Sequence, residues 1–243
     1  MPVRNIPRYG AGRKNLGKFA SVKTGRVAWY ESLLEKDFMY LLDYDRDVSY
    51  WHEQPLRIRF SHGGKVHRYT PDLEVHRAAQ KQLIEVKPKH KVDSGEWDVL
   101  FRAASSICEQ EGYEFLVLTD EVIRMQPRLE NVKLLWKYAR TPVLPQHQII
   151  CSQFFQSRKD EPVTLGDLIQ IFTSKQVPMQ TIYSLLFWGA LEFDLMQPLD
   201  RASRITIPSS SALTALKRRA SYDAPAQTQQ KHAHHTPEPG VRN

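Results

Sequence analysis

Residues 113–118, with EFLVL at their centre, constrain the fold more than any other stretch. A strand that is apolar at successive positions has no face to leave in water, so its sheet must be covered on both sides. Residues 94–111 supply one cover. Trp97, Leu100, Phe101, Ala104, Ile107 and Cys108 recur on one face at helical spacing, and Gly112 is a natural stop. A second helix is expected over 27–42, where Ala28, Leu34, Phe38 and Leu41 recur, with Trp29, Tyr30, Leu33 and Leu42 broadening the apolar face. Residues 43–47 read as its polar exit.

Between these helices lie short strand segments: 48–53 and 56–60, parted by Gln54-Pro55, then 66–69 after the turn at 61–64, then 73–75 and 82–86, the last ended by Pro88. Residues 129–140 read as a closing helix. Helix, strands, helix, strand, helix describes an α/β fold, a mixed sheet flanked by helices. Pro142 and Pro145 mark a boundary. Beyond it, 148–156, 164–172 and 179–191 read as helices, and 192–195 and 204–207 as strands, which together suggest a small winged-helix-like unit. The expected organisation is therefore a basic arm at 1–26, a sheet domain at 27–141, the winged-helix-like domain at 142–207 and a polar tail at 208–243. Rich in Ser, Ala, Gln, His and Pro, that tail is expected to be disordered.

The formal net charge is +7, and it is local. Arg4, Arg8, Arg13, Lys14, Lys18, Lys23 and Arg26 stand in the first 26 residues with no acid among them, and the other basic and acidic residues cancel. Such an arm, with Tyr9 and Phe19 interleaved, suits a polyanion, because neutralising phosphates releases counterions. A solubilising leader is the plainer alternative. The helix expected at 179–191 carries no Arg or Lys, and residues 161–200 hold five acids against Lys175 alone. That part is expected to bind protein rather than DNA, or simply to pack. No run reaches the roughly 18 apolar residues of a membrane span, and the first residues lack a signal peptide's apolar core. Cys108 and Cys151 are too few for a disulfide framework, which fits a reducing cytoplasm.

Chemistry concentrates in RYTPDLEVHRAAQKQLIEVKPKHK, residues 68–91. Glu85 and Lys87 are two apart, so a strand points both to one face while Ile84 and Val86 point to the other. Asp72 follows Pro71 on a neighbouring strand, and Glu31 stands on the preceding helix. Two or three carboxylates are what Mg²⁺ or Mn²⁺ prefers, and such ions serve phosphodiester hydrolysis. A nearby lysine can orient the attacking water or neutralise the transition state. The plain alternative is a solvated strand face, since alternating strands usually carry charges on their wet side.

Helix with a glutamate, two strands, Pro-Asp, an apolar strand ending in ExK, then an amphipathic helix and an apolar strand: this order resembles the restriction-endonuclease-like fold and its PD-(D/E)xK signature. The words WYESLLEKDFMYLLDYDRDVSYWHEQPLRI, RYTPDLEV, LIEVKPK and YEFLVLTDEVIR resemble TnsA, the endonuclease subunit of certain cut-and-paste transposons, over about residues 26–140. The resemblance implies a Mg²⁺-dependent DNA endonuclease cutting the 5′ strands at transposon ends. Its partners would be the DDE transposase TnsB and the AAA+ ATPase TnsC. Carried over by motif, Glu31 is the helix-borne acid, Asp72 and Glu85 are metal ligands and Lys87 is the signature lysine. Gln54 lies in the recurring EQP word, where support of the site by packing or backbone hydrogen bonding and a catalytic part are equally open to it. A stand-alone nuclease and a non-catalytic DNA-bound adaptor remain the competing readings. The near-P-loop GRKNLGKF at 12–19 is set aside, because Phe19 replaces the Ser or Thr that would hold Mg²⁺.

Overall fold

Val27–Tyr30, expected as the first turn of a helix, is a strand. Val, Trp and Tyr favour extended backbone, and the helix start lies further on, at Ser32, whose Oγ accepts from the Glu35 backbone N–H at 3.1 Å. In the computed structural model, which describes residues 16–158 and 161–208, β1 (Gly17–Ala20) and β2 (Val27–Tyr30) form an antiparallel hairpin. The second half of the expected basic arm is thus folded, with the Phe19 ring buried. Helix α1 spans Leu33–Tyr44. There follow β3 (Val48–Glu53), β4 (Ile58–His62), β5 (Lys65–Tyr69), β6 (Leu73–Arg77) and β7 (Lys81–Val86). Helices α2 (Lys89–Asp93) and α3 (Asp98–Gln110) lead to β8 (Glu114–Leu118), and α4 (Asp120–Ile123) and α5 (Arg128–Trp136) close this part.

The central sheet has the order β3-β6-β7-β8. β3, β6 and β7 run antiparallel in turn, with Trp51 opposite Val75 and Leu73 opposite Ile84. β8 lies parallel to β7, with Glu85 opposite Val117. The parallel pair requires a crossover, which α2 and α3 provide. Each sheet face is covered. Phe38, Met39 and Leu42 of α1 pack with Trp51, Leu73, Val75, Ile84 and Val86 on one side, and Ala104 and Cys108 of α3 pack with Leu83, Ile58 and Tyr69 on the other. β8 differs from its expectation: it is half-buried along its length, because it is the edge strand and its outer flank has no strand neighbour among the described residues. The β4–β5 hairpin is a separate two-stranded sheet.

Asp43, read as part of the polar exit of α1, is instead among the most buried residues, at 1% exposed. Its Oδ1 accepts from Ser21 Oγ at 2.6 Å and Trp51 Nε1 at 3.1 Å; its Oδ2 accepts from the Val22 backbone N–H at 2.7 Å and Trp136 Nε1 at 2.9 Å. Four donors from the hairpin, the sheet and α5 thus converge on one carboxylate, which is how an interior anion is tolerated. Nearby, the Lys23 ammonium donates to the backbone carbonyls of Asp45 and Val48, tying the hairpin to the turn after α1.

The remaining elements are α6 (Pro145–Arg158), β9 (Val163–Thr164), α7 (Leu165–Ser174), α8 (Gln180–Phe187) and β10 (Arg204–Ile205). All three expected helices form. The ribbon is arranged differently: β10 pairs with β9, and the expected strand at 192–195 makes a single bridge, Glu192 to Thr206. One core cluster spans the expected boundary at 141–142, joining Leu135 and Ala139 to Leu168, Phe172, Ile182 and Leu186. Trp188 Nε1 donates to Ala139 O at 2.8 Å, and Arg46 pairs with Glu192. Thr181, Ile182 and Ser184 to Phe187 are buried, so most of α8 is packing surface rather than a face free to enter a DNA groove. The chain divides into units Met1–Pro208 and Ser209–Asn243, and the expected tail beyond Pro208 lies outside the described residues. Among the described residues no helix is long and apolar enough to cross a membrane. Cys108 and Cys151 are both free and buried.

Asp43→Ala leaves buried indole and backbone donors without an acceptor and should destabilise the protein by about 3–5 kcal/mol, read by urea denaturation. A loss below about 1 kcal/mol would mean that water replaces the carboxylate and that it is not a structural hub.

Candidate active site

Pro71 and Asp72 end the β6–β7 ladder, whose last register pair is Leu73 with Ile84. The next amide on that side of β7, Val86 N–H, needs an acceptor, and Asp72 Oδ2 supplies it at 2.8 Å. The proline is what makes this possible, because its fixed φ and missing N–H stop the strand. Asp72 is thereby held against the end of β7, beside Glu85.

Glu85 is 3% exposed. That burial removes the solvated-face reading, which requires the charge to stand in water. Strand parity holds: Ile84 and Val86 face α1, while Leu83, on the same face as Glu85, belongs to the core under α3. Both carboxylate oxygens of Glu85 are engaged. Tyr69 Oη donates to Oε2 at 2.5 Å and the Lys87 ammonium lies 2.5 Å from Oε1. Burial and the Glu85 charge raise the Tyr69 pKa far out of reach, so the phenol is a permanent donor. Lys87 also sits 5.0 Å over the Trp97 ring. Tyr69 and Trp97 are residues that sequence reasoning passed over. Tyr69 stands in the quoted RYTPD word, but nothing in its spacing marks it as Glu85's partner.

The acid expected on the helix stands just ahead of it. Glu31 precedes α1, since the helix begins after Ser32. Glu35, in the first turn, is the carboxylate whose charge acts on both Asp72 and Lys87. Glu35 Oε2 accepts from the Glu31 backbone N–H at 2.8 Å, a capping contact that fixes its side chain. Glu31 in turn accepts from Gln54 Nε2 at 2.9 Å. Gln54 adopts a left-handed backbone (φ 45°), and its N–H donates to Asp72 O at 2.9 Å. Its buried Oε1 has no hydrogen-bond partner among the described residues. Gln54 therefore links Glu31 to the backbone of Asp72. The signal that could have found Glu35 is the Ser32-x-x-Glu35 capping pattern, which moves the helix start past Glu31.

Electrostatically the site is under-compensated. Burial, then the Glu85 and Glu35 charges, raise the Asp72 pKa; burial, then the Glu31 and Glu85 charges, raise that of Glu35. For Lys87, burial acts downward, but the Glu85, Asp72 and Glu35 charges outweigh it and raise the pKa, so the side chain remains an ammonium. Crowded carboxylates of this kind fit a hard divalent cation, which would relieve their repulsion. Among the described residues no group of three His, Cys, Asp or Glu is already drawn into a metal-holding arrangement. Lys87 and Tyr69 occupy the oxygens of Glu85 instead.

Of the residues expected to bind DNA, Arg4, Arg8, Arg13 and Lys14 lie outside the described residues. Lys18 is exposed, 4.8 Å over the Trp29 ring, and Arg26 donates to Tyr50 Oη at 2.8 Å on the surface. Lys23 is committed to the backbone contacts that tie down the hairpin.

Residues 45–120 match the family model described as TnsA-like endonuclease N terminal. The matched segment contains Gln54, Asp72, Glu85 and Lys87 and begins after the helix that carries Glu35. No curated protein matches the chain.

The raised pKa values have a stability consequence. A carboxylate with a raised folded pKa contributes stability that is complete below its unfolded value, about 4, and is lost as pH rises through the folded value. In EDTA, stability should therefore fall as pH climbs from that range toward neutrality. Asp72→Asn, which can still accept from Val86 N–H, should remove part of this slope and raise the melting temperature at pH 8 by roughly 2–4 °C for each kcal/mol relieved. A melting temperature that drops, with an unchanged pH slope, would contradict the under-compensated site.

Proposed function

We propose, proceeding from the TnsA family to which its residues 45–120 assign this chain, that the protein is a metal-dependent DNA endonuclease. It would be the subunit that cuts the 5′ strands at transposon ends by phosphodiester hydrolysis within a heteromeric transposase. The observation that carries this reading is the buried Glu85, joined to Lys87 at 2.5 Å and placed beside Asp72 and Glu35. Nothing in a purely structural strand calls for so many carboxylates around one ammonium.

The roles follow from the charges. Asp72 and Glu85 would hold Mg²⁺, or Mn²⁺ in its place, with Glu35 a further oxygen donor and Glu31 behind it. When bound, the cation supplies charge neutralisation for the phosphate and a more acidic water. Lys87 stays protonated, so it acts by charge: it orients the attacking water and stabilises the negative charge growing on the phosphate oxygens. It is unsuited to be the general base. Tyr69 holds Glu85 in place, and Gln54 holds Glu31 against the Asp72 backbone. Water attacks the phosphorus and gives up a proton to the surrounding solvent, the bond to the leaving oxygen breaks, and that oxygen takes up a proton from solvent.

The family pattern supports TnsB and TnsC as partners, duplex DNA at the transposon ends as substrate, and action in the bacterial cytoplasm. Residues 142–207, the winged-helix-like part, would meet TnsC on a surface other than the packed face of α8.

The test is a reconstituted cutting reaction on duplexes carrying transposon ends. Asp72→Ala and Lys87→Ala should each lower 5′-strand cutting by a factor of about 10³ or more, since each removes charge stabilisation in a water-poor site, with folding intact by circular dichroism. Normal cutting by both variants would refute the assignment. In the same assay Glu35→Gln should cost more than Glu31→Gln. The opposite order would return the helix-borne role to Glu31.

A further inference from the structure

Between Gln54 and Asp72 the chain carries Arg57, Arg59, Lys65 and Arg68 and no acidic residue. This is the β4–β5 hairpin, a sheet of its own whose residues 61–68 are all exposed. Its register places Arg59 directly opposite Arg68, with Ile58 opposite Tyr69 and Phe60 opposite His67. Alternation then divides the ribbon. One face carries Ile58, Tyr69 and Phe60, which pack with the core under α3; the other presents the two arginines. Both are exposed, and among the described residues neither makes an ion pair.

Like charges directly across a two-stranded ribbon are destabilising, and a lone two-stranded ribbon is marginal in water. An arrangement that opposes two guanidinium groups and supplies no carboxylate is relieved by an external anion. The neighbouring residues indicate where that anion sits. Arg68 adjoins Tyr69, whose hydroxyl donates to Glu85, and Thr70-Pro71 leads from there to Asp72. The arginine pair thus stands one register step out from the root of the hairpin, on the ribbon face opposite Tyr69, and the chain between Arg68 and Asp72 ties that root to the site.

We propose that the β4–β5 hairpin is a duplex-DNA clamp in which Arg59 and Arg68 together grip backbone phosphate and present the strand to the Asp72–Glu85–Lys87 site. The inference rests on the endonuclease reading and adds to it the surface that binds the substrate. It is separate from the basic N-terminal residues. Arg–phosphate contacts here are sequence-independent and serve to position the backbone.

The test uses the full chain and a fluorescein-labelled duplex, with affinity measured by anisotropy over a salt series. Arg59→Ala/Arg68→Ala should reduce the slope of log K against log salt by about 2, one unit for each phosphate that is no longer neutralised. Its melting temperature should hold or rise, because the like-charge pair is gone. Arg59→Glu/Arg68→Glu should abolish binding at the salt where the wild type binds. A wild type that binds duplex while both variants bind equally well, with unchanged slope, overturns the clamp and leaves the endonuclease reading standing. A wild type that binds no duplex even at low salt overturns the DNA reading and the clamp with it.

Discussion

The Asp43 carboxylate holds together the parts that everything else is mounted on. Ser21 and Val22 bring the N-terminal hairpin to it, Trp51 brings the central sheet and Trp136 brings α5, while Asp43 itself ends α1. A buried anion is costly unless its acceptor sites are filled, so this arrangement is close to all-or-none. Asp43 anchors the C-terminal end of α1, and Glu35 stands in the first turn at the other end of the same helix.

The site itself runs against the economy of the core. Asp72, Glu85 and Glu35 are brought together around one ammonium, and burial sharpens their repulsion. Stability alone would favour apolar side chains or fewer charges at these positions. Locally unfavourable electrostatics of this kind are the mark of a binding or catalytic centre. Tyr69 and Gln54 keep the carboxylates in place despite it, the first through Glu85 and the second through Glu31 and the Asp72 backbone.

Much of the central fold was legible from pattern. Residues 48–53 form the expected strand with its bounds unchanged, and the helix over 94–111 and the strands at 73–75 and 82–86 form within a few residues of their expected limits. These segments have strong periodicity and sharp stops at Pro71, Pro88 and Gly112. The expectations that failed did so where one tertiary contact outweighs a local preference. Val27–Tyr30 carries apolar residues compatible with a helix, but pairing with Gly17–Ala20 makes it a strand. Asp43 looks like a surface residue until Trp51 and Trp136 close over it. Arg204 finds Thr164 across the ribbon rather than the segment at 192–195.

By itself the sequence determined the order of the strands from Val48 to Leu118, the face-sharing of Glu85 with Lys87, and the position of Asp72 after a ladder-breaking proline, because these follow from the two-residue period of a strand and the chemistry of proline. Only the tertiary structure decided that Glu85 is buried rather than wet, that Glu31 precedes α1 while Glu35 stands in its first turn, and that Tyr69 reaches across to Glu85. Each of these depends on which segments lie side by side in space, and periodicity along one segment carries no information about what stands opposite it.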